Sequence, residues 1–500
     1  MSIAKELLDA LRLSKPKAAV SVFDGSVSDM GGATVAMIDV DGRTKLAVAG
    51  KQGCARGFEV EEELRSGPEV LAVCPLAHAN AEAIRRALPF TGPSPLSDRN
   101  VTIGVGDRLG MAGPGHIDVF RRFDASPVFA QQSVRELTLT RRSYEDVLDV
   151  SSWAVLREGF REKWGADGDH LKTEDWVRKA LSIGFSMITA DVSDFIRGEH
   201  ASRSQTELAS AYASLDGDYR ECIEERYLAR SFPLEGGEGL RFSTIDLHRT
   251  ALVYREAIAH AARLYRAGVD VLRGTRGFDF ELSIDETATP TTPHAHFFIA
   301  MEAKATGIEI SSLAPRFVGE FQKGIDYIGD AKEFERSFAA HAAIARTLGY
   351  RVSVHSGSDK FSVFPAIGRI SRGRFHLKTA GTSWLEALRV IAAVDPSLFR
   401  ELYVHALATF EKARALYHVT PDLSALPEPR GLAEPGMRAL LDERNARQVL
   451  HITYGEMLAE PRLRDGIFRA LEGHAADYRM DLRSHIGKHL RLLGVHERPA

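Results

Sequence analysis

The chain has 500 residues, of which 44% are hydrophobic, and a formal net charge of -4. This composition supports a large buried core and excludes a disordered or collagen-like chain, and the near balance of charge gives no reason to expect nucleic acid or an acidic membrane as a partner. Three cysteines without C-x-x-C spacing encode neither a disulfide framework nor an iron–sulfur cluster. Because the sequence has neither a signal-peptide pattern nor an apolar run of about 18 residues, we expect a cytoplasmic protein without a membrane span.

Residues 1–95 predict a small α/β unit. Short β-like runs broken by glycine extend from about residue 17 to residue 51, and Asp41-Gly42 is a hairpin signal between two of them. The run PEVLAVCPL predicts a further strand, and helical sequence follows it. Residues 1–8 have an amphipathic pattern, and the loop TGPSPLSDRN separates the unit from the rest of the chain.

Residues 96–395 predict a TIM-type (β/α)8 barrel, because eight short apolar runs are each followed by helix-like sequence. A helical insertion at about residues 205–274 separates the fourth and fifth runs, and residues 396–500 predict a helical C-terminal region. Barrel enzymes carry their chemistry at the carboxyl ends of the strands, so polar residues there are the candidate site residues. The predicted strands are Val101–Val105, Pro127–Gln131, Ala166–Leu171, Phe185–Ala190, Phe278–Ile284, Ile308–Leu313, Arg351–His355 and Phe375–Thr379.

Two strand-end loops in the first half of the barrel carry candidates. The loop GVGDRLG has the spacing G-x-G-x-x-x-G, one residue too long for a dinucleotide fingerprint. Its Asp107 and Arg108 fit either a contact to an anionic or polyhydroxylated ligand or an internal pair that fixes the turn. At the end of the third strand, Asp169 and His170 fit a proton-transferring carboxylate beside a metal-binding imidazole, or else a helix-capping Asp and a structural His.

The fifth strand alternates apolar and polar residues, with phenylalanines, Leu and Ile on one face and acids, including Glu281, on the other. If the apolar face packs on outer helices, the acids point inward, where unpaired carboxylates are costly; an edge strand with one wet face is the alternative. Glu286 begins the following loop, where a catalytic acid would be mounted. His294 and His296 form an i, i+2 pair, but Pro293 has the character of a first helical residue, which favours structural roles for both.

The sixth and seventh strands end near two further candidates. Glu320 lies in a glycine-bounded loop and fits either a metal ligand or an ordinary salt bridge to Lys323. His355 precedes the small residues of HSGSDK, which let the backbone approach a ligand, a pattern typical of a metal or sugar site. Two strand-end histidines and a carboxylate predict an open site of nitrogen and oxygen donors for a divalent ion such as Zn, Mn, Fe, Ni or Co.

Six motifs that occur in one order between about Gly104 and Phe364 resemble those of the bacterial tagaturonate epimerase family: GVGDRLGMAGPGHI, PVFAQQSVREL, GADGDHLK, SIDETATPTTP, LAPRFVGEFQKGIDY and HSGSDKFSVF. The resemblance implies a divalent-metal enzyme that interconverts the ketouronates D-tagaturonate and D-fructuronate in hexuronate catabolism. It implies a proton-transfer pair formed by Asp169 and a fifth-strand acid, for which the loop residue Glu286 is preferred to Glu281. It also implies that the metal ligands are His170, Glu320 and His355.

The chemistry of these substrates agrees with such a site. The two ketouronates differ at a carbinol carbon β to the ketone, which simple enolisation does not reach, and the chain lacks the fingerprint of a nicotinamide route. Retro-aldol cleavage, rotation of the aldehyde fragment and re-addition would invert that carbon, and this needs a Lewis acid and two proton carriers. The predicted substrate contacts are Arg108, Gln132 and Lys360, since the two cations suit a carboxylate.

Two other functions fit the same residues. The Asp-His and His-Ser-Gly-Ser strand ends also resemble those of metal-dependent class II aldolases, so an aldolase that acts on a sugar acid is one alternative. A non-catalytic sugar-acid-binding or regulatory protein is another, and it would need neither metal nor Asp169. The sequence leaves the oligomeric state and the identity of the metal open.

Overall fold

A computed structural model describes residues 19–66, 69–236 and 239–499. The predicted amphipathic pattern of residues 1–8 lies outside these residues. None of the helices described is both long enough and apolar enough to span a membrane.

The amino-terminal part is a six-stranded antiparallel sheet. Its strands are β1 Val20–Val22, β2 Ser28–Asp29, β3 Ala33–Val40, β4 Arg43–Lys51, β5 Glu62–Ser66 and β6 Glu69–Cys74. They pair in the order β1-β3-β4-β6-β5, with β2 on β3. Asp41 and Gly42 have φ values of 53° and 77° and form the predicted hairpin turn between β3 and β4. One face of the sheet packs on helix α1, His78–Ala87, and on Trp153 and Leu156 of a barrel helix.

The central part is a closed barrel of eight parallel strands, as predicted. The strands are β7 Val101–Gly104, β8 Ser126–Ser133, β9 Gly165–Leu171, β10 Met187–Asp191, β11 Asp279–Ile284, β12 Ser312–Pro315, β13 Arg351–Val354 and β14 Phe375–Lys378. Each strand pairs with its sequence neighbours, and β14 closes the barrel on β7. Every predicted run overlaps a strand, although β12 begins at Ser312 and not at Ile308.

Helices surround the barrel and form the carboxyl-terminal region. Those of the barrel are α2 Gly113–Phe120, α3 Val134–Thr140, α4 Tyr144–Glu158, α5 Glu174–Ile183, α9 Pro293–Ala305, α10 Ala331–Leu348, α11 Phe364–Ser371 and α12 Thr382–Val394. The predicted insertion is helical, with α6 Gln205–Ala213, α7 Gly217–Tyr227 and α8 Thr244–Leu272. The C-terminal region contains α13 Pro396–Arg414, α14 Glu434–Ala439, α15 Arg444–Ile452, α16 Tyr454–Ala459, α17 Pro461–Gly473 and α18 Ala475–Leu492.

Serine residues begin several of these helices. In each case the serine side chain accepts a hydrogen bond from the backbone N–H of the third helical residue, and the acidic side chain of that residue accepts one from the serine N–H; the serines are Ser133, Ser143, Ser204 and Ser243. This capping box satisfies backbone donors that have no partner within the helix. The C-terminal helices pack with α12 around a second apolar core that includes Trp384, separate from the barrel core.

The fifth barrel strand, β11, explains why the barrel interior is charged. Its residues Phe280, Leu282 and Ile284 belong to the core beneath the outer helices. Glu281 and Ser283 therefore point into the barrel, and Glu281 is completely buried. Because β11 lies between β10 and β12, the alternative of an edge strand with a wet face is wrong.

Candidate active site

A cavity of about 600 Å³ lies at the carboxyl ends of the barrel strands, a volume suited to a small ligand. Strand-end residues, including Asp169, His170 and His355, form one part of its wall. The C-terminal helical region supplies another part through Tyr417 and His451. The barrel and the C-terminal region therefore form one cavity together.

The end of β9 is bent so that two neighbouring side chains reach the same site. The pairing of β9 with β10 shifts register between Gly168 and Leu171, and His170 has a φ of 54°, a left-handed value rare outside glycine. In a regular strand Asp169 and His170 would point to opposite faces. Both residues line the cavity, as the sequence predicted for a turning strand end.

His170, Asp285 and His355 form a compact group of metal-ligand type. Asp285 Oδ1 lies 3.2 Å from His355 Nδ1 and 4.0 Å from His170 Nε2, and the two imidazole centroids are 4.9 Å apart. His355 Nδ1 is buried and makes no hydrogen bond among the described residues. Burial lowers the pKa of His355, but Asp285, together with Glu281, outweighs this effect and raises the pKa to about 10. The surroundings therefore favour a positive charge at this point.

Each of the two histidines is held by a carboxylate on its other nitrogen. His170 Nδ1 lies 2.8 Å from Asp169 Oδ1, and His355 Nε2 lies 2.7 Å from Glu281 Oε1. Such carboxylate–imidazole pairs fix the ring orientation and tautomer of metal-binding histidines. The nitrogens that face Asp285 are left available to a ligand.

Lys378, at the end of β14, joins the acids behind this group. Its Nζ lies 2.6 Å from Asp169 Oδ1 and 2.9 Å from both Asp167 Oδ2 and Glu281 Oε1, and it also donates to the Thr189 hydroxyl. Lys378 could not be recognised from the sequence, because one lysine in a predicted strand carries no signal of the three acids that face it. The sequence predicted for Asp285 only that it is the last acid on the polar face of the fifth strand.

The charges of this cluster depend on one another. Burial raises the pKa of Asp169 and of Glu281, but Lys378 and the adjacent imidazoles outweigh it and hold both pKa values well below their usual range. Burial dominates at Asp167, whose pKa is raised to about 6. Burial would lower the pKa of Lys378, but the three carboxylates hold it well above its usual value. The cluster therefore keeps Lys378, Asp169 and Glu281 charged at neutral pH.

The predicted residues Glu320 and Glu286 line the cavity but lie outside the compact group. The Glu320 side chain is 41% exposed, and its carboxylate accepts a hydrogen bond from Gln322 at 2.6 Å and lies 3.0 Å from His418 Nε2. The alternative salt bridge between Glu320 and Lys323 is not among the ion pairs of the described residues. Glu286 is exposed on the cavity wall, whereas Glu281 lies behind it.

Arg108 lies at the cavity wall but is bound to the protein itself. Its Nε donates to Glu136 Oε1 at 3.0 Å, its Nη1 donates to the His451 carbonyl at 3.1 Å, and its guanidinium stacks 3.8 Å from the centre of the Tyr454 ring. Asp107, its neighbour, instead accepts backbone N–H groups of its own turn.

Lys360 and Gln132, the other two predicted substrate contacts, are bonded within the protein. Lys360 Nζ donates to the carbonyls of Gln322, Ile325 and Ser358 at 2.6–2.9 Å, which uses all three N–H groups of the ammonium, and Lys360 does not line the cavity. Gln132 Nε2 donates to the Asp107 carbonyl at 2.8 Å. The neighbouring Gln131 lines the cavity instead, because successive strand residues point to opposite faces.

A second histidine–carboxylate group lies behind the loop after β13, and its polar atoms are hydrogen-bonded to one another and to Arg447. Asp359 Oδ1 lies 2.6 Å from His485 Nε2, and Asp359 Oδ2 accepts from Arg447 at 2.8 Å. The Asp359 N–H donates to His489 Nε2 at 3.1 Å. This network attaches the loop that follows His355 to helices α15 and α18.

The histidines of the Thr-Pro-His-Ala-His segment have structural roles, as the sequence favoured. Pro293 begins α9, and His294 Nε2 bonds the Arg241 carbonyl at 2.9 Å. His296 is completely buried between His341 and Tyr350, at 2.8 and 2.7 Å.

The closed barrel and its polar strand-end cavity define an enzyme of the α/β-barrel class. Residues 23–493 match the family model of tagaturonate epimerase. The tagaturonate/fructuronate epimerase of Thermotoga maritima is 40% identical over 449 residues, which are 90% of this chain and 92% of that protein. The native and one-glycerol crystal structures of fructuronate-tagaturonate epimerase UxaE from Cohnella laeviribosi each share 43% identity, with a TM-score of 0.91 over 99% of both chains. The chain therefore belongs to the tagaturonate epimerase family and is an epimerase, an enzyme of the isomerase class.

Proposed function

We propose that the chain interconverts D-tagaturonate and D-fructuronate in hexuronate catabolism, with a divalent ion held by His170, Asp285 and His355. The substrates are those named in the relatives described above. The observation that carries the metal proposal is the convergence of two imidazole nitrogens and a carboxylate, with a second carboxylate behind each imidazole. In this proposal Asp285 replaces Glu320, the carboxylate ligand predicted from the sequence.

The donor atoms fit a divalent ion. His355 Nδ1 is buried, and its polar neighbour is Asp285 Oδ1 at 3.2 Å, so the nitrogen and the carboxylate face each other and an ion bound there would take both as ligands. Two nitrogens and one oxygen suit Zn, Mn, Fe, Ni or Co. An ion bound there would supply a Lewis acid for the carbonyl chemistry of the substrate.

We assign the acceptance of a proton from the substrate to Asp169. Its Oδ1 is occupied by His170 and Lys378, while Oδ2 makes no hydrogen bond among the described residues. In a retro-aldol step, Asp169 removes the proton of the β-hydroxyl, and that oxygen becomes the aldehyde oxygen. The carbon–carbon bond next to it breaks, and its electron pair passes to the fragment that carries the ketone.

Inversion requires the aldehyde fragment to turn before the bond forms again. Its oxygen then faces another part of the wall and takes up a proton there as the carbon–carbon bond closes. Glu286 is the acid we assign to this step, because it lines the cavity whereas Glu281 lies behind it. The two carboxyl groups exchange protons with water between turnovers, so the epimerisation has no net uptake or release of protons.

The test is to incubate metal-loaded protein with D-tagaturonate and to follow D-fructuronate and three-carbon fragments together. The proposal predicts that D-fructuronate forms and that free three-carbon products do not accumulate. Accumulation of these fragments would instead identify a class II-type aldolase, and binding without turnover would contradict an enzymatic role in this reaction.

A further inference from the structure

The carboxylate of a ketouronate needs a cationic partner, and several cationic side chains line the cavity near its C-terminal wall. Arg108 is neutralised by Glu136, as described above. Arg135 is exposed, donates to the Leu416 carbonyl at 2.6 Å and lies over the Tyr417 ring. Both side chains are therefore engaged within the protein. Arg316, on the same wall, makes no side-chain hydrogen bond or ion pair among the described residues, but its charge acts on Glu320, whose pKa it helps to lower.

Lys323 differs from these arginines. Its Nζ donates to Ser356 Oγ at 2.9 Å, and within the described residues it makes neither another hydrogen bond nor an ion pair. An ammonium group has three N–H donors, so two remain for a ligand. Burial lowers the pKa of Lys323, and Arg135 and Arg108 act in the same direction, whereas Glu136 and Asp169 raise it. A bound carboxylate would favour the charged ammonium at this buried position.

The chain brings Lys323 to this point through a close approach of backbone. Gly324 has a φ of 76°, and a Cβ added there would lie 3.1 Å from the Arg447 carbonyl and 3.2 Å from the His451 side chain. Glycine lets the loop after β12 pass closely against α15. The loop that carries Ser356 is fixed on its other side by the internal bonds of Lys360 and Asp359.

Lys323 lines the same cavity as the proposed metal group. Its partner Ser356 follows His355 directly in the chain, and both of these residues also line the cavity. In a ketouronate a single carbon separates the carboxylate from the carbon that is epimerised. A carboxylate held near Ser356 therefore leaves the reacting carbon close to the strand-end residues.

We propose that Lys323 binds the carboxylate of the substrate and thereby sets the preference for ketouronates over neutral sugars. The inference rests on the proposed function, because it assigns a residue of the same cavity to the acid group of that substrate. It replaces Lys360, whose donors are all used, as the cation for this group.

The experiment compares Lys323→Met with Arg316→Met, which removes another positive charge from the same cavity wall. Lys323→Met should raise the KM for D-tagaturonate by about tenfold or more, while metal content and melting temperature stay normal. It should weaken inhibition by D-glycerate by a similar factor and leave inhibition by glycerol unchanged, since these probes differ in the carboxylate. Arg316→Met should change neither the KM for D-tagaturonate nor the inhibition by D-glycerate. Lys323→Arg should recover part of the affinity that Lys323→Met loses.

Three results would overturn the inference: a wild-type KM in Lys323→Met, an equal loss of D-glycerate and glycerol inhibition, or a carboxylate-selective loss in Arg316→Met. If Lys323→Met does not fold, Lys323→Gln, which keeps a donor for Ser356, gives the same comparison. Absence of epimerisation by the wild-type protein would refute the proposed function, and the two inhibitors, measured as ligands by calorimetry, would still test Lys323 separately.

Discussion

Replacement of Glu281 by Gln tests the arrangement behind the proposed metal group. Glu281 is completely buried, with Oε1 at 2.7 Å from His355 Nε2 and 2.9 Å from Lys378 Nζ. The amide keeps the size of the side chain but removes the negative charge. Lys378 retains its contacts with Asp167 and Asp169, so the main loss is the charged support of His355.

The expected effect follows from the role of such supporting carboxylates. Loss of one typically weakens metal binding about 10- to 100-fold, which corresponds to about 1.4 to 2.7 kcal/mol. Calorimetric titration of chelated protein with a single divalent ion measures this change. Glu286→Gln is the control, because Glu286 is exposed on the cavity wall and should alter turnover without altering affinity for the ion.

The result that would refute this reasoning is wild-type affinity for the ion in Glu281→Gln. The same affinity combined with a loss of turnover would show that Glu281 transfers protons and does not orient His355. A loss of affinity in Glu286→Gln would place the ion in the loop after β11 instead.

Three further predictions concern other parts of the molecule. Asp169→Asn should lower turnover by about 10²–10⁴ at saturating metal, measured by steady-state kinetics, and normal turnover under these conditions would exclude Asp169 as the proton carrier. Burial lowers the pKa of His485, but Glu386 and Asp359 outweigh it and raise the pKa from its usual value. The stabilising contribution of the charged imidazole is therefore complete below the unfolded-state pKa of about 6.5 and is lost as pH rises through the higher folded-state pKa. The difference in melting temperature between wild type and His485→Gln should shrink as pH rises above the unfolded-state pKa, and a constant difference would contradict this sign. Lys360→Met should lower the free energy of unfolding by at least about 2 kcal/mol, because three buried carbonyls lose their hydrogen-bond donor. A raised KM without any loss of stability would instead show that Lys360 contacts the substrate.

The barrel could be predicted from the sequence because its signal is local. Each strand is a short apolar run before a helix, and the alternation in β11 indicated an inward acidic face before any partner strand was known. The bend at the end of β9 was also foreseeable, since an Asp-His pair at a strand end has to leave the regular pleat for both side chains to reach one site.

The contacts between distant segments could not be predicted in the same way. Lys378 faces Asp167, Asp169 and Glu281 across a barrel whose register depends on all eight strands together. Lys360 has the strand-end position of a ligand contact, and only the fold of the preceding loop shows that backbone carbonyls occupy its ammonium. The part of the cavity wall that the C-terminal helices supply had no motif of its own.

The most direct test of the account measures epimerisation of D-tagaturonate by chelated protein as one divalent ion is added back, with the bound ion determined by elemental analysis. Activity should disappear on chelation and return in proportion to the occupancy of one ion per chain. Asp285→Asn should lose both the ion and the activity, whereas Glu320→Gln should retain the ion. Full epimerase activity in protein free of divalent ions would contradict the central claim.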